Sequence, residues 1–250
     1  AKATQLVADA EVIAANVTAE AERTANERAA AIEEQARDRV TTVIEGAKRR
    51  LSKLLDAERE VHARLASALA SVNADPEAPL LLVFHGTGGD ENQFFDLAGE
   101  LLPGARIVAP RGDVSEGGAL RYFRRTGEGV YDMDDLALRT DRMAAFVAKR
   151  KAEGRPRQVV GLGYSNGANI LASVQFAAPD LFDATVLMHP LIPFSPAAAD
   201  FTGKRVLITA GERDPMAPAA MTQQLGDYFT TNGAEMRLFW HPGGHELRPQ

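Results

Sequence analysis

The stretch GLGYSNGAN places Ser165 between Gly163 and Gly167, directly after the apolar residues Val159 and Val160. A serine between two glycines at the end of an apolar run is typical of a nucleophile on a sharp strand-to-helix turn. Its hydroxyl becomes a useful nucleophile only when a neighbouring base removes its proton. Because the chain holds 21 glycines, one such pattern can arise by chance, and the hypothesis needs partners for Ser165 elsewhere.

Two later stretches supply the groups that such a serine needs. Asp214 lies in AGERDP, after the apolar run 205–209, and His245 lies in HPGGHEL, after the apolar run 235–240. His245 would accept the proton of Ser165 and then pass it to the leaving group. Asp214 would fix the tautomer of that imidazole and stabilise its charged form. A turn aspartate before proline and a surface histidine are the alternatives for these two residues.

An oxyanion site is predicted from backbone amides and does not depend on side chains. Asn166 follows the serine, and Thr87 lies in the glycine-rich stretch HGTGGDE after the apolar run 80–84. Backbone N–H groups at these two positions would stabilise the negative charge that forms on a carbonyl oxygen. Gly163 and Gly167 would permit the tight turn around the nucleophile.

Candidate pocket residues lie in three other places. His85 begins the first loop, which it would orient, and His189 follows the run 184–188 and would line the pocket or pack within its loop. The long polar segment 111–131 is expected to form a wall or lid over an acyl pocket, with Tyr122 and Phe123 as apolar contacts. Its arginines would either meet an anionic substrate or form a solvated face.

Beyond residue 79, short apolar runs alternate with amphipathic segments. This pattern predicts the strands and helices that must position the groups named above. This alternation predicts an α/β fold with a mostly parallel sheet covered on both faces. Functional groups of such sheets gather beyond the C-terminal ends of the strands, where each loop named above begins. The predicted strands are 80–84, 106–109, 158–162, 184–188, 205–209 and 235–240. The predicted helices lie near 91–102, 132–152, 166–177 and 217–231.

Residues 1–74 have a different composition, with no proline, one glycine and many Ala, Glu and Arg residues that favour a helix. Apolar residues recur there at spacings of about 3.5, as in a coiled coil. The stripe comprises Val40, Val43, Ala47, Leu51, Leu54, Val61, Leu65 and Val72. We expect a self-associating helical stalk at 1–74, a linker at 75–79 and the α/β domain at 80–250. A bent or partly frayed helical linker is the alternative for residues 1–35.

Composition excludes several other classes of function. The net charge of −6 argues against nucleic acid as a partner. The absence of cysteine excludes disulfides and thiolate catalysis. The five histidines show no H-E-x-x-H spacing, and GLG belongs to no G-x-G-x-x-G string, so no metal and no cofactor are expected. Without an apolar run of membrane length or a secretion signal, we expect no membrane span and a cytoplasmic location.

Five motifs occur in order between about residues 79 and 247: VFHGTGGDE, GYSNGAN, MHPLIP, AGERDP and GGHEL. Together they resemble the phospholipase/carboxylesterase family of α/β hydrolases, and within it the small carboxylesterases linked to hydroquinone resistance. The resemblance implies the α/β-hydrolase fold and hydrolysis of modest carboxylic esters without a cofactor. It also implies Ser165 as nucleophile, Asp214 as acid and His245 as base, with Thr87 and Asn166 at the oxyanion hole.

The chain also departs from that family pattern. A helical stalk stands where a strand usually precedes HGTGG, and the printed sequence ends at Gln250, so we expect the domain to lack that strand and a closing helix. The stalk weakly resembles the coiled coils of DivIVA-type bacterial scaffold proteins. A serine carboxylesterase is therefore the first hypothesis, with lysophospholipase or acyl-thioesterase as variants. A coiled-coil scaffold with an inactive or truncated hydrolase domain is the second.

Overall fold

The computed structural model describes residues 2–73 and 77–247, and its contacts divide the chain into two units, Ala1–Val72 and Asn73–Gln250. In the first unit, α1 runs without interruption over Lys2–Asn73. At 1.5 Å per residue this helix is about 108 Å long. Leu54, Val61, Leu65 and Val72, which were expected on the apolar stripe, lie outside the side chains that the structure describes. None of the described helices is long and apolar enough to cross a membrane.

Apolar side chains of α1 are exposed wherever the structure describes them. Val40 is 56% exposed, Val43 69% and Leu51 58%. Most of the stability of a helix in a folded protein comes from packing of its apolar face. In the single chain the described part of this apolar stripe is exposed to solvent.

The second unit is built on a six-stranded sheet in which all strands are parallel, with the order β10-β9-β8-β7-β1-β2. This architecture confirms the α/β-hydrolase fold class that the alternating pattern and the motifs predicted. The strands of the sheet are β1 (Leu80–Phe84), β2 (Arg106–Val108), β7 (Val159–Tyr164), β8 (Ala184–Met188), β9 (Arg205–Gly211) and β10 (Glu235–His241). The helices are α2 (Phe95–Leu101), α3 (Met133–Ala152), α4 (Asn166–Ala177), a short 3₁₀ turn (Pro179–Leu181) and α5 (Ala219–Thr231).

The pairing of the strands places their C-terminal ends side by side, at one end of the sheet. Phe84 at the end of β1 pairs with Gly163 near the end of β7, and Gly163 pairs with Leu187 in β8. Met188 pairs with Thr209 in β9, two residues before that strand ends. The loops that follow β1, β7, β8, β9 and β10 therefore all leave the sheet at its C-terminal end. This is the end at which parallel sheets bind their ligands.

Helices cover both faces of the sheet. On one face, α4 is buried over ten consecutive residues, and Ile170, Leu171 and Val174 are fully inaccessible there. This continuous burial explains why the sequence of α4 resembles an apolar run and lacks the pattern of an amphipathic helix. On the other face, Phe94 and Ala98 beside α2 pack against Leu81, Val83 and Leu162.

Segment 111–131, which was expected to form a wall or lid over an acyl pocket, contains two small hairpins. β3 (Val114–Glu116) pairs with β4 (Ala119–Arg121), and β5 (Arg125–Gly127) pairs with β6 (Val130–Tyr131). The first turn contains Gly117 and Gly118, both with positive φ, as a two-residue hairpin turn requires. Strands of two or three residues are too short for an alternating pattern to reveal them, which is why sequence reasoning missed them.

Replacement of Phe229 by alanine tests the packing behind the sheet. This ring is fully buried and packs against Phe176, Phe201 and Tyr228. We expect the free energy of unfolding of the second unit to fall by about 3–5 kcal/mol, because the cavity cannot collapse fully. Urea unfolding followed by the fluorescence of the single tryptophan, Trp240, measures that unit. Leu138→Ala on the exposed side of α3 is the control and should change stability by about 0.5 kcal/mol or less. Equal losses in both variants would contradict this core assignment.

Candidate active site

Ser165 lies on the one-residue turn between β7 and α4. Its φ of 52° and ψ of −117° are unfavourable for a residue with a side chain, so the surrounding structure must hold it in place. The Ser165 amide donates to the carbonyl of Met188 in β8 at 2.8 Å, and its own carbonyl accepts from Asn169 at 2.9 Å. These two bonds fix the turn from both sides, and Ser165 lines a cavity there.

The glycines on either side of this turn are required by close backbone contacts. A Cβ atom on Gly163 would lie 2.6 Å from the carbonyl oxygen of Gly167. A Cβ atom on Gly167 would lie 2.4 Å from the carbonyl oxygens of both Phe84 and His85. Because real Cβ atoms do not approach backbone oxygens so closely, only glycine permits β7, α4 and the end of β1 to meet. Both glycines that the sequence singled out therefore lie where the turn needs them.

Ser165, His245 and Asp214 form a continuous hydrogen-bonded chain. His245 Nε2 lies 2.8 Å from Ser165 Oγ, and His245 Nδ1 lies 2.7 Å from Asp214 Oδ2. The Tyr164 hydroxyl donates to the carbonyl of His245 at 2.7 Å and so anchors the histidine loop to β7. The three residues come from loops after three different strands, and they meet because those loops share one edge of the sheet.

The Asp214 carboxylate accepts four hydrogen bonds although it is buried. Oδ1 accepts from the amides of Met216 and Ala217 at 2.8 and 3.0 Å, and Oδ2 accepts from His189 and His245 at 2.9 and 2.7 Å. Burial alone would raise the pKa of Asp214, but the hydrogen bonds from His189, His245 and the two amides outweigh it and hold that pKa below its usual value. Asp214 is therefore an anion in the folded protein.

Thr87 and Asn166, the two residues predicted to supply backbone amides, both lie near Ser165. Asn166 is the first residue of α4, so its N–H has no carbonyl one turn earlier in the helix to bind. Thr87 lines the same cavity as Ser165 and Asn166. The buried guanidinium of Arg121 donates from Nη1 to Thr87 Oγ1 at 2.9 Å and fixes that loop. The two residues predicted for the oxyanion site thus line the same cavity as Ser165.

His85 holds the first loop from inside the protein. Its Nε2 accepts the N–H of Gly112 at 2.9 Å, so its proton is on Nδ1, which donates to the carbonyl of Gly86 at 2.7 Å. Burial lowers the pKa of His85 and keeps the ring neutral. Although His85 was also a candidate for the pocket, it does not line the cavity above Ser165, and its two bonds orient the backbone beside Thr87.

Two other pocket candidates lie in the core. Tyr122 is 2% exposed, and its hydroxyl donates to the carbonyl of Pro110. Phe123 is fully buried against the ring of Tyr131. Neither lines the cavity, and both belong to the core cluster that also contains Phe84. From the sequence, apolar rings at these positions are equally compatible with the core and with a pocket. Only the geometry of the hairpins distinguishes these two locations.

The cavity above Ser165 has a volume of about 30 Å³ and includes residues that sequence reasoning did not single out. Arg121 and Arg125 line it, but Glu116 and Glu128 pair with them, so the wall carries no net positive charge from these four side chains. Arg121 and Arg125 belong to segment 111–131, whose arginines the sequence placed either against an anionic substrate or on a solvated face. Lining residues that the sequence did not single out include Tyr131, Asn169, Leu191 and Met216. A methionine after a turn carries no signal in the sequence that marks it as part of a pocket.

His189 is one of the residues that line the cavity, as one of the two alternatives from the sequence predicted. It is 1% exposed, and its Nδ1 lies 2.9 Å from Asp214 Oδ2. Ligand atoms of His189, Asp214 and His245 all lie within 4.8 Å of one another, a spacing that a metal ion could use. Both Nδ1 atoms, however, already lie at hydrogen-bond distance from the same carboxylate oxygen, so this group is explained by hydrogen bonding.

A larger cavity of about 880 Å³ opens elsewhere, along β8, β9 and β10. Residues at the starts of those strands line it, among them Ala184, Arg205 and Glu235. This cavity lies toward the N-terminal ends of the strands, whereas Ser165, Asp214 and His245 follow the C-terminal ends. The size of a cavity therefore does not identify the candidate active site. The arrangement of the reactive groups identifies it.

The sequence is similar to those of known hydrolases. The model of the Dienelactone hydrolase family matches residues 67–246. The protein MhqD of Bacillus subtilis (strain 168), whose name describes it as a hydrolase, is 37% identical over 171 residues. That alignment covers 67% of this chain and 86% of MhqD.

Two solved structures share the fold of the second unit. The protein Atu2452 of Agrobacterium tumefaciens str. C58, described as of unknown function, is 55% identical with a TM-score of 0.68, over 70% of this chain and 86% of its own. A carboxylesterase of Bacillus cereus is 34% identical with a TM-score of 0.66, over 73% of this chain and 92% of its own.

Replacement of Gly167 by alanine tests the contact between β1 and α4. The added Cβ atom would force backbone apart at Phe84 and His85, so we expect ester hydrolysis to fall by about 100-fold or more through misplacement of Ser165. Gly99→Ala is the matched control, because its Cβ atom would meet only Ile107 Cδ1, at 3.8 Å. That variant should keep full activity and gain about 0.5–1 kcal/mol of stability. Parent activity in folded Gly167→Ala would refute the need for this contact.

Proposed function

The chain belongs to the dienelactone hydrolase family, and from that premise we propose that it hydrolyses small carboxylic esters through an acyl-serine intermediate on Ser165. One observation carries the proposal: Ser165 Oγ, His245 and the Asp214 carboxylate are joined by hydrogen bonds of 2.8 and 2.7 Å. This arrangement supplies a nucleophile, a base within reach of its proton, and an anion that orients the base.

In the first half-reaction, Ser165 Oγ attacks the carbonyl carbon of the ester while His245 Nε2 takes the hydroxyl proton. The electron pair of the carbonyl moves to its oxygen, and the amides of Thr87 and Asn166 stabilise the charge that forms there. The imidazolium is stabilised by the Asp214 carboxylate. When the tetrahedral intermediate collapses, His245 returns the proton to the departing alcohol, and an acyl group remains on Ser165.

In the second half-reaction, a water molecule replaces the alcohol. His245 removes a proton from this water, whose oxygen attacks the acyl carbon, and the same amides stabilise the second oxyanion. Collapse returns the proton to Ser165 Oγ and releases the carboxylic acid. Every bond and proton in this scheme is handled by groups of the chain, so the proposal requires no cofactor or metal.

The cavity supports a preference for small acyl groups. The side chains of Leu191 and Met216 form part of its wall and would limit the length of the acyl group. Because Glu116 and Glu128 pair with the two arginines there, we propose a neutral ester in preference to an anionic one. Aryl and short-chain esters and thioesters form the substrate panel that separates an esterase from a thioesterase or lysophospholipase.

We further propose that residues 1–74 form a stalk through which two or more copies associate, and that residues 80–250 form the hydrolase domain. Val40, Ile44, Ala47 and Leu51 recur at steps of four, three and four, as the core positions of a coiled coil do. All four side chains are exposed in the single chain, and a second copy of this helix would bury them.

Replacement of Ser165 by alanine tests the proposed chemistry. We expect the rate of hydrolysis of p-nitrophenyl acetate or butyrate to fall by a factor on the order of 10⁶, because the members of such a triad act as a unit. Ser195→Ala, at an exposed position outside the cavity, is the control and should keep the parent rate. A fluorophosphonate probe should label the parent protein at Ser165 and spare the variant. Folded parent protein that takes no label would favour the alternative of an inactive hydrolase domain on a scaffold.

Charge substitution on the apolar stripe tests the stalk. In the double variant Ile44→Lys and Leu51→Lys, we expect the mass of the particle in sedimentation equilibrium to fall to that of one chain, because buried like charges oppose pairing. The matched control, Gln35→Lys and Thr42→Lys, adds the same charge on the opposite side of the helix and should keep the parent mass. A parent protein that is already monomeric would rule out association through this stripe.

A further inference from the structure

His189 occupies a place that the proposed reaction does not explain. It is buried at the end of β8, and its Nδ1 shares the Asp214 Oδ2 atom with His245, at distances of 2.9 and 2.7 Å. On its other side, His189 Nε2 lies 3.1 Å from His241 Nε2. His241 Nδ1 in turn lies 3.1 Å from the N–H of Gly243. We call Gly243, His241, His189 and Asp214 the histidine chain.

Both ends of the histidine chain fix where its protons lie. At one end the Gly243 N–H can only donate, so His241 Nδ1 must accept and the proton of that neutral ring is on Nε2. At the other end the Asp214 carboxylate can only accept, so His189 Nδ1 must carry a proton. His241 Nε2–H then donates to His189 Nε2, which must be unprotonated. The two ends therefore predict the same pair of tautomers. Each of the four ring nitrogens of His189 and His241 has one hydrogen-bond partner in the histidine chain.

The backbone of His189 is held as tightly as its ring. Its φ of 52° is unfavourable for a residue with a side chain, and such strain persists only where the surroundings impose it. The His189 amide donates to the carbonyl of Thr209 in β9 at 2.8 Å, and the preceding carbonyl, of Met188, accepts the amide of Ser165. His189 is therefore tied through the backbone both to the turn that carries Ser165 and to the strand that leads to Asp214.

From this geometry we infer that His189, with its tautomer set by His241, is the positioning residue for Asp214. Its Nδ1–H holds Oδ2 at the place from which that atom also accepts the His245 Nδ1–H. The two amides on Oδ1 fix the other half of the carboxylate, so no rotation about its terminal bond is possible without loss of hydrogen bonds. Burial lowers the pKa of His189, which is consistent with a neutral ring that donates from one nitrogen and accepts at the other.

The inference rests on the proposed function, because positioning matters only if Asp214 orients a working base. It also differs from a purely structural role for His189. A packing residue could be replaced by an apolar side chain of similar size with no effect on catalysis beyond a loss of stability. A positioning residue is replaceable only by a side chain that donates to Asp214 Oδ2 from the same place.

Two substitutions separate these roles in the full chain. In His189→Leu, Oδ2 loses one donor and Asp214 gains freedom to rotate, so we expect kcat to fall about 10- to 100-fold with KM changed by about twofold at most. In His189→Asn, the amide nitrogen takes nearly the place of Nδ1, and we expect kcat within about fivefold of the parent. Equal kcat values in His189→Leu and the parent, or equal losses in the two variants at equal folded fraction, would overturn the inference.

The tautomers are measured directly and without any assay of activity. In the parent chain with ¹⁵N-labelled histidine, imidazole nitrogen and proton correlations should show His189 protonated on Nδ1 alone and His241 protonated on Nε2 alone. The spectra of His189→Asn and His241→Gln assign these signals by their disappearance. A proton on Nδ1 of His241, or on Nε2 of His189, would overturn the histidine chain even if His189→Leu failed to fold.

Failure of the inference and failure of the proposed function have different signatures. Without fluorophosphonate labelling of the parent at Ser165, the proposed function fails whatever tautomers the histidines adopt. With labelling intact and the tautomers reversed, or with kcat indifferent to His189→Leu, only the positioning role fails.

Discussion

The approach of the end of β1 to the first turn of α4 determines the rest of the site. At Gly167 the helix backbone meets the Phe84 and His85 carbonyls so closely that no side chain fits between them. This contact joins the loop that carries Thr87 to the turn that carries Ser165. Thr87 and Asn166, whose amides are proposed for the oxyanion site, line one cavity together with Ser165. A backbone contact therefore holds together the two segments that carry the proposed oxyanion site.

Around that contact, buried polar groups are satisfied in ways that connect different strands. Asp214 joins the loops after β8, β9 and β10 through four hydrogen bonds. Tyr131 and Asn169 join the second hairpin to α4 and to the loop after β8, because the Tyr131 hydroxyl accepts from Asn169 and donates to the carbonyl of Leu191. Since an unpartnered buried polar group is costly, such connections favour one arrangement of the loops over its neighbours.

Much of this structure was predictable because its signals are local. Continuous apolar runs predicted all six strands of the sheet, and two of them, β7 and β9, extend two residues further than the pattern indicated. The ordered motifs predicted an α/β hydrolase of the carboxylesterase type, and membership of the dienelactone hydrolase family confirms that class. The resemblance of residues 1–74 to DivIVA-type coiled coils remains untested. The roles of Ser165, Asp214 and His245 remain predictions, although the structure brings all three together.

What sequence reasoning missed depends on contacts between distant segments. The two hairpins of segment 111–131 are too short for periodicity, and their placement decides that Tyr122 and Phe123 pack in the core while Arg121 reaches Thr87. His189 could be named as a candidate, but its partner Asp214 lies 25 residues further along the chain. No spacing rule relates such positions, because the tertiary fold alone makes them neighbours.

The position of β10 at the border of the six-stranded sheet has a consequence for how the protein meets other chains. Among the strands that the structure describes, none lies beside one side of β10, and a bare strand edge invites pairing with a foreign chain. Glu235 and Arg237 on β10 are exposed, and charged side chains on a border strand discourage such pairing. The same strand ends in His241, whose ring contacts that of His189 in the histidine chain. One seven-residue segment therefore carries both the charged side chains at the border of the sheet and a contact of the histidine chain.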